Sequence, residues 1–415
     1  MGERLAATGI FLAAAAATLT IAVPTPLAAW AYALAVLVGA CWWSVYSLRS
    51  RDRHTPASGV LRPPDSRARG SVLGNVAMLA IAAWGAVEWL TGATVYRYGT
   101  FDAWTHTVTL VATALVAREV LANHGLRCDF LCAFAWFAVA VSGAGVLAYF
   151  TSSARILWLF PSPYPDTWGP FLSRNDFAAF LELAFPVALW LGLDGAVRSS
   201  PGERRNERNR RGHAGGATYV YLAAWLLAAG FASASRAGSV LLAAEAVVLL
   251  AVRATRSSVL KFAASAAVLV AVAGAGTLAG RWREPDPLHY RREIRQSTLE
   301  MIAARPLRGF GLGTYSRVYP AYGHFDLGAL VEHAHNDWLE WAAEGGVPYA
   351  LAWFAVAVSV AKPAARSIWG LGVIAVFLHA LVDYPFARFG VSAWTMALIG
   401  ALGADEMRKV SVRAH

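Results

Sequence analysis

The side chains able to do chemistry in this chain fall in a few short runs. Glu332, His333, His335, Asn336 and Asp337 sit almost side by side, and Arg291, Arg292 and Arg295 precede them. Ser173-Arg174-Asn175-Asp176 and Ser233-Ala234-Ser235-Arg236 lie upstream, while His379 and Asp383 lie downstream. Arginine offers a planar, permanently charged fork that grips phosphate oxygens in pairs, which lysine does not. Histidine, with an ordinary pKa near about 6.5, can take a proton from a hydroxyl at neutral pH. A metal site is the rival reading, because Glu332, His333, His335 and Asp337 are all ligand types. The rings of a His-x-His pair share a face on a strand but diverge by about 200° on a helix. His335 is expected at a helix start, so the two rings do not converge and no metal or other cofactor is expected. Cys128 and Cys132 are one helical turn apart and read as packing residues; with Cys41 they build no disulfide framework.

The elements that position these runs are apolar. Of 415 residues, 57% are hydrophobic and 15% are charged, against roughly 25% charged in a soluble globular chain. The mean hydropathy is +0.45. The apolar residues come in long blocks such as Leu27 to Trp43, Val72 to Leu90 and Phe262 to Ala279, approaching the roughly 20 residues that cross a bilayer core. A bilayer leaves no water to satisfy a backbone, so such blocks are read as helices. Spans are expected near 5–23, 27–47, 72–91, 104–122, 129–150, 174–197, 217–233, 237–252, 259–279, 347–361, 367–384 and 390–406, about twelve in all. A first span that is retained is preferred to a cleaved signal peptide.

The formal charge of +10 is distributed as a topology signal. Alternate loops hold Arg49 to Arg69, Arg118 with Arg127, the run Arg204 to Arg211, Arg253 to Lys261, Lys362 with Arg366, and Arg408 to Arg413. An excess of Lys and Arg in short loops marks the cytoplasmic side, which places both termini there. The basic charge is therefore assigned to the cytoplasmic leaflet and not to nucleic acid.

Two loops are long. Residues 198–216 read as a basic cytoplasmic linker without fixed structure. Residues 280–346 fall on the outer side and mix aromatics, carboxylates, arginines and histidines. Pro287 to Ala304 reads as an amphipathic helix ended by Pro306. Gly309, Gly311 and Gly313 punctuate a loop, and a short helix is expected from about Ala334 to Glu344, ending at Gly345-Gly346. The expected organisation is membrane helices over 1–279, a loop domain over 280–346, and membrane helices with a cytoplasmic tail over 347–415.

Five runs in order carry a family resemblance. Arg305-Pro-Leu-Arg-Gly-Phe-Gly-Leu-Gly-Thr-Tyr and His333-Ala-His-Asn-Asp-Trp-Leu-Glu-Trp-Ala-Ala-Glu-Gly-Gly resemble the large-loop motifs of the O-antigen ligase and polymerase superfamily. Ser173-Arg-Asn-Asp-Phe-Ala, Ser233-Ala-Ser-Arg-Ala-Gly and His379-Ala-Leu-Val-Asp-Tyr-Pro are similar to three more of its motifs. The likeness spans about 165–390. It implies an all-α integral membrane protein of the bacterial inner membrane, with about twelve transmembrane helices and a large, partly helical periplasmic loop bearing the active site. It also implies a metal-independent, inverting glycosyltransferase that moves a glycan from undecaprenyl pyrophosphate to a hydroxyl. The acceptor would be lipid A core, a growing polysaccharide or a protein.

By the same resemblance His335 is the general base, Arg236 and Arg291 meet the pyrophosphate, and Asn175 supports them. Arg174, Arg292, Arg295, Asn336 and Asp383 are further substrate-binding candidates. Each has a plainer reading. Arg236 could reach lipid headgroups, Asn175 could cap the following helix, and the arginines of the amphipathic helix could face solvent. Asp383 could orient a neighbour. Arg295 stands where the family commonly has Trp, which leaves open which loop arginine meets phosphate. A transporter is the competing class for a many-span chain, with Glu182 its first suspect. Transporters gather polar groups at mid-membrane, whereas here they collect at one face.

Overall fold

Apolar blocks broken by Gly, Pro and charged clusters fold as helices, since each then satisfies its own backbone polar groups. The structure is a computed structural model and describes residues 2–20, 26–51, 66–152, 155–162, 164, 166–193, 205–253, 256–273, 289–324, 328 and 330–413. In chain order the first helices are α1 (Gly2–Leu19), α2 (Pro26–Arg51), α3 (Ser66–Thr91), α4 (Arg97–Val120) and α5 (His124–Thr151). A hairpin of β1 (Arg155–Ile156) and β2 (Phe160–Pro161) follows, paired antiparallel. Then come α6 (Arg174–Leu193), α7 (Arg205–Ala232), α8 (Arg236–Arg253), α9 (Arg256–Ala273) and α10 (His289–Ala304). The series closes with α11 (Tyr315–Val318), α12 (Asp337–Ser367), α13 (Leu371–His379) and α14 (Phe389–Arg413).

The expectation of about twelve transmembrane helices does not hold. Among the described residues four helices are long and apolar enough to cross a membrane: Val72–Thr91, His124–Thr151, Arg174–Leu193 and Asp337–Ser367. The chain is thus a mostly α-helical membrane protein with several apolar spans. Five of the other expected spans fall short for particular reasons, and those expected over 5–23 and 259–279 run into residues outside the described set. The one expected over 367–384 is a helix of only nine residues, Leu371–His379, about 14 Å long at 1.5 Å per residue against a core of about 30 Å. Its Val373, Ala375, Val376 and Phe377 are buried in protein, so its apolar character serves a core. α8 carries Arg236, Glu245 and Arg253 in eighteen residues. The apolar parts Trp30–Tyr46, Gly216–Ala232 and Phe389–Asp405 are each short.

α6 is the hub of the main core. It packs against α5, α7, α8 and α13, and its side chains from Asp176 to Leu189 are all buried. Part of the expected basic linker is ordered instead, because α7 begins at Arg205; residues 194–204 lie outside the described set.

A second, smaller core lies under the loop region. Ile294 and Met301 of α10 meet Phe310, Tyr315, Val318 and Tyr319, and the Thr298 and Tyr315 hydroxyls lie 2.7 Å apart. The expected amphipathic helix is therefore real from His289; Pro287 falls outside the described residues. The glycine-punctuated loop is strapped down by two carboxylates. Glu344 accepts from the backbone N–H of Gly313 at 2.9 Å and of Tyr315 at 2.8 Å, and Glu88 accepts from Leu312 N–H at 3.0 Å. Gly311 has φ +107 and lies against Thr94, a conformation and a clearance that only glycine offers.

The helix expected from about Ala334 starts at Asp337 instead, because Asn336 caps it by accepting from Leu339 N–H at 3.0 Å. It does not stop at the glycine pair. Gly346, at φ 78 and ψ 169, puts a kink inside α12, and helix resumes through Pro348.

Candidate functional site

Asp383 is the node of the site. It lies in the turn after α13 and is buried to 5% exposure. Its Oδ1 lies 3.4 Å from His335 Nδ1, and it accepts a side-chain hydrogen bond from Asn175 at the start of α6. Arg291 of α10 places Nη2 3.7 Å from Asp383 Oδ2 and donates from Nη1 to the Val382 carbonyl at 2.9 Å. Asn175 in turn accepts from the Ser235 hydroxyl at 2.8 Å, and Ser235 is the residue before Arg236. Three parts of the chain, near 175, 291 and 335, thus meet at one carboxylate, and a fourth, near 235, joins them through Asn175.

The reading of Asn175 as a helix cap is overturned. Both ends of its amide are spent across the chain, and the Ser173 hydroxyl accepts from Asn175 N–H instead, at 3.1 Å. Asn336 ties the site to its support, donating from Nδ2 to the Leu381 carbonyl at 2.7 Å while capping α12. Asp337 N–H donates to the carbonyls of Ala380 and Asp383 at 3.0 and 3.2 Å. Between these anchors His335 is held at φ 51, the left-handed region that a histidine seldom occupies. Strain of this kind persists where neighbours over-determine the backbone.

The three arginines of α10 separate cleanly. Arg291 is half-buried and turned to Asp383, whereas Arg292 and Arg295 are exposed. Arg236 is half-buried at the first turn of α8. Arg174 pairs with Asp166 at the edge of a cavity of about 690 Å³. His335, Arg174, Arg388, Tyr290 and Tyr384 line that cavity.

The electrostatics favour a permanently charged anchor. Burial pushes the Asp383 carboxyl up, but the hydrogen bond with His335 and the charge of Arg291 outweigh it and hold it at about 2. It is therefore a carboxylate throughout the neutral range. Burial likewise works against a charged His333, yet Glu340 at 2.8 Å raises its pKa above the ordinary histidine value.

The metal alternative loses its geometry here. His333 turns to Glu340 and stacks on Tyr384 with ring centres 4.4 Å apart, whereas His335 turns to Asp383. Among the described residues no group of three or more His, Cys, Asp or Glu side chains is placed to hold a metal ion.

Several residues near this site were not singled out in the sequence for a role in it. Tyr384 contacts both histidine rings and stands below the Arg388 guanidinium at 4.9 Å. Arg388 Nε is 3.2 Å from Asp176 Oδ2. Burial disfavours the Arg388 charge, but Asp176 and then Tyr384 raise its pKa above the usual arginine value. Both follow Asp383 in the chain, and their proximity to a charged turn was the available signal.

No curated protein matches the chain. Asn175 and Asp383 lie outside the part that does find a counterpart, although they bond to residues within it or next to one. That part, residues 221–354 with Arg236, Arg291 and His335, matches the O-antigen ligase family.

Proposed function

We propose that the chain is a metal-independent, inverting glycosyltransferase of the O-antigen ligase type. It takes a glycan from undecaprenyl pyrophosphate and passes it to an acceptor hydroxyl at the periplasmic membrane face. The reading rests on the family match over 221–354 and on one observation above all, the convergence of His335, Arg291 and Asn175 on Asp383. The loop domain over 280–346 supplies the base and one of the arginines.

The placement supports the following chemistry. An Nδ1 proton directed at Asp383 leaves the lone pair on His335 Nε2. His335 lines the 690 Å³ cavity, where that nitrogen takes the proton of the acceptor hydroxyl as its oxygen attacks the anomeric carbon. The new C–O bond forms as the bond to pyrophosphate breaks, and undecaprenyl pyrophosphate leaves with the electron pair. Arg291 and Arg236 stabilise the growing charge of the leaving group through forked hydrogen bonds. Asp383, ionised throughout, orients the imidazole and stabilises its protonated form, as a carboxylate does in other base–orienter pairs.

The test uses a strain that lacks the activity. His335→Ala, Arg236→Ala and Arg291→Ala should each express normally and leave the lipid-linked glycan unprocessed. Normal processing by His335→Ala contradicts the general-base role. Gel profiles of the two pools assign the reaction: a ligase makes a single transfer onto lipid A core, whereas a polymerase lengthens the undecaprenyl-linked chain.

A further inference from the structure

Between α5 and α6, the β1–β2 hairpin turns through Leu157-Trp158-Leu159, three apolar residues in a row. A turn that meets water ordinarily carries Gly, Asn or Asp, above all where φ is positive. Here Leu157 has φ 45 and Trp158 has φ 64, so two bulky residues occupy the left-handed region at the tip. The inner side of the hairpin is anchored. Ile156 is buried, and the Ser152 hydroxyl donates to the Arg155 carbonyl at 3.1 Å. The outer side is bare: Trp158 is 38% exposed, Leu159 69% and Phe160 57%. Side chains of this kind gain free energy on leaving water.

The surroundings of the tip say what covers it. α5 is long and apolar enough to cross a membrane, and near its end Leu147 and Phe150 are likewise exposed. The hairpin continues that apolar surface, because the Trp158 indole N–H donates to Thr151 Oγ1, on the last residue of α5, at 2.8 Å. The residue types suit the boundary of a bilayer. Trp favours the headgroup level, where its ring meets apolar groups and its N–H a polar one. Arg155, exposed at the base of the hairpin, has a stem long enough to reach lipid phosphate. Each strand has one sheet partner among the described residues, and unpaired backbone groups keep the hairpin out of the hydrocarbon centre. A protein partner fits less well, since three side chains at a turn cannot supply the roughly 800 Å² per side of a stable interface.

We propose that the hairpin tip docks on the lipid bilayer, with Trp158, Leu159 and Phe160 seated about 5–10 Å into the boundary between headgroups and acyl chains. Farther along the same loop, Tyr164 and Asp166 line the 690 Å³ cavity, and Asp166 pairs with Arg174 there. The docked hairpin holds that side of the cavity near headgroup depth, where a lipid-anchored phosphate lies. Only this last consequence rests on the glycosyltransferase reading; the docking itself does not.

Electron paramagnetic resonance on the full chain, in nanodiscs of phosphatidylcholine and phosphatidylglycerol, tests it. Cys41, Cys128 and Cys132 are changed to Ala, and a nitroxide is attached at Leu159→Cys or, separately, at Phe160→Cys. Oxygen, which concentrates in lipid, should collide with both labels more often than a water-soluble nickel chelate does. The ratio of oxygen to chelate collisions should fall at Arg155→Cys, nearer the water. More frequent chelate than oxygen collisions at both tip positions place the tip in water and overturn the proposal. Exclusion of both quenchers at both positions puts protein over the tip, a second copy or another partner, and overturns it too. The readout needs no turnover, so its failure and a failure of the transfer reaction are separate results.

Discussion

The two cavities on either side of residues 330–333, of about 690 and 350 Å³, share Leu330, Glu332 and His333, yet the rest of their linings differ. The larger one brings Arg174, Arg388 and His335 to its wall, with the Asp383 node behind His335. The smaller one presents carboxylates and tryptophans without a single arginine. His333 belongs to both, and its commitment to Glu340 fixes the partition between them. The contrast teaches how one short segment can form a wall common to two differently lined cavities.

The comparison can be broken on the arginine side first. Asp383→Asn removes the charge that orients His335 and meets Arg291, so single-turnover transfer should fall by about 10²-fold or more, within the range for losing a positioned acid–base group. Transfer within a few-fold of the parent breaks the node. Asp383 is held at about 2, a depressed value. Its contribution to stability is present above the ordinary aspartate pKa and is lost only as pH falls through about 2. Protonation of Asp383 therefore adds no acid limb to a rate profile between pH 5 and 8. Arg291→Lys keeps a charge but loses the fork, and pyrophosphate affinity should drop by roughly 10- to 100-fold, the value of a charge-assisted hydrogen bond. An unchanged affinity gives the leaving-group role to another arginine.

The smallest effect concerns the wall itself. His333 has a raised pKa, so its pairing with Glu340 stabilises the fold below about pH 6.5 and that contribution is lost as pH rises through the folded value. The Tm of the parent should therefore fall between pH 6 and pH 8 by more than that of Glu340→Gln. Parallel Tm profiles contradict a charged His333 in the partition.

What the sequence made legible was the local chemistry. Gly309, Gly311 and Gly313 announced a special turn, and all three have positive φ. Arg291, Asn175, His335 and Asp383 were named from short runs, and they meet in space. The sequence left Arg291, Arg292 and Arg295 equivalent. What separates them is which side of α10 faces the Asp383 turn, a tertiary fact. Tyr384 and Arg388 escaped notice for a similar reason, since the partner of Arg388 is Asp176, far away along the chain.

The span count failed because hydropathy reports residue type and not what covers the residue. Leu371–His379 is as apolar as a membrane segment, yet it is nine residues long and ends in a turn that carries Asp383. The same turn supplies the node of the site. The end of a stretch read as one span, 367–384, is therefore where Asp383 gathers its partners.

The most direct test of the account is single-turnover glycan transfer by purified His335→Ala with undecaprenyl-pyrophosphate-linked glycan, with donor binding measured on the same preparation. The account predicts donor affinity close to that of the parent and transfer lowered by about 10²- to 10⁴-fold. Transfer at the parental rate would contradict it.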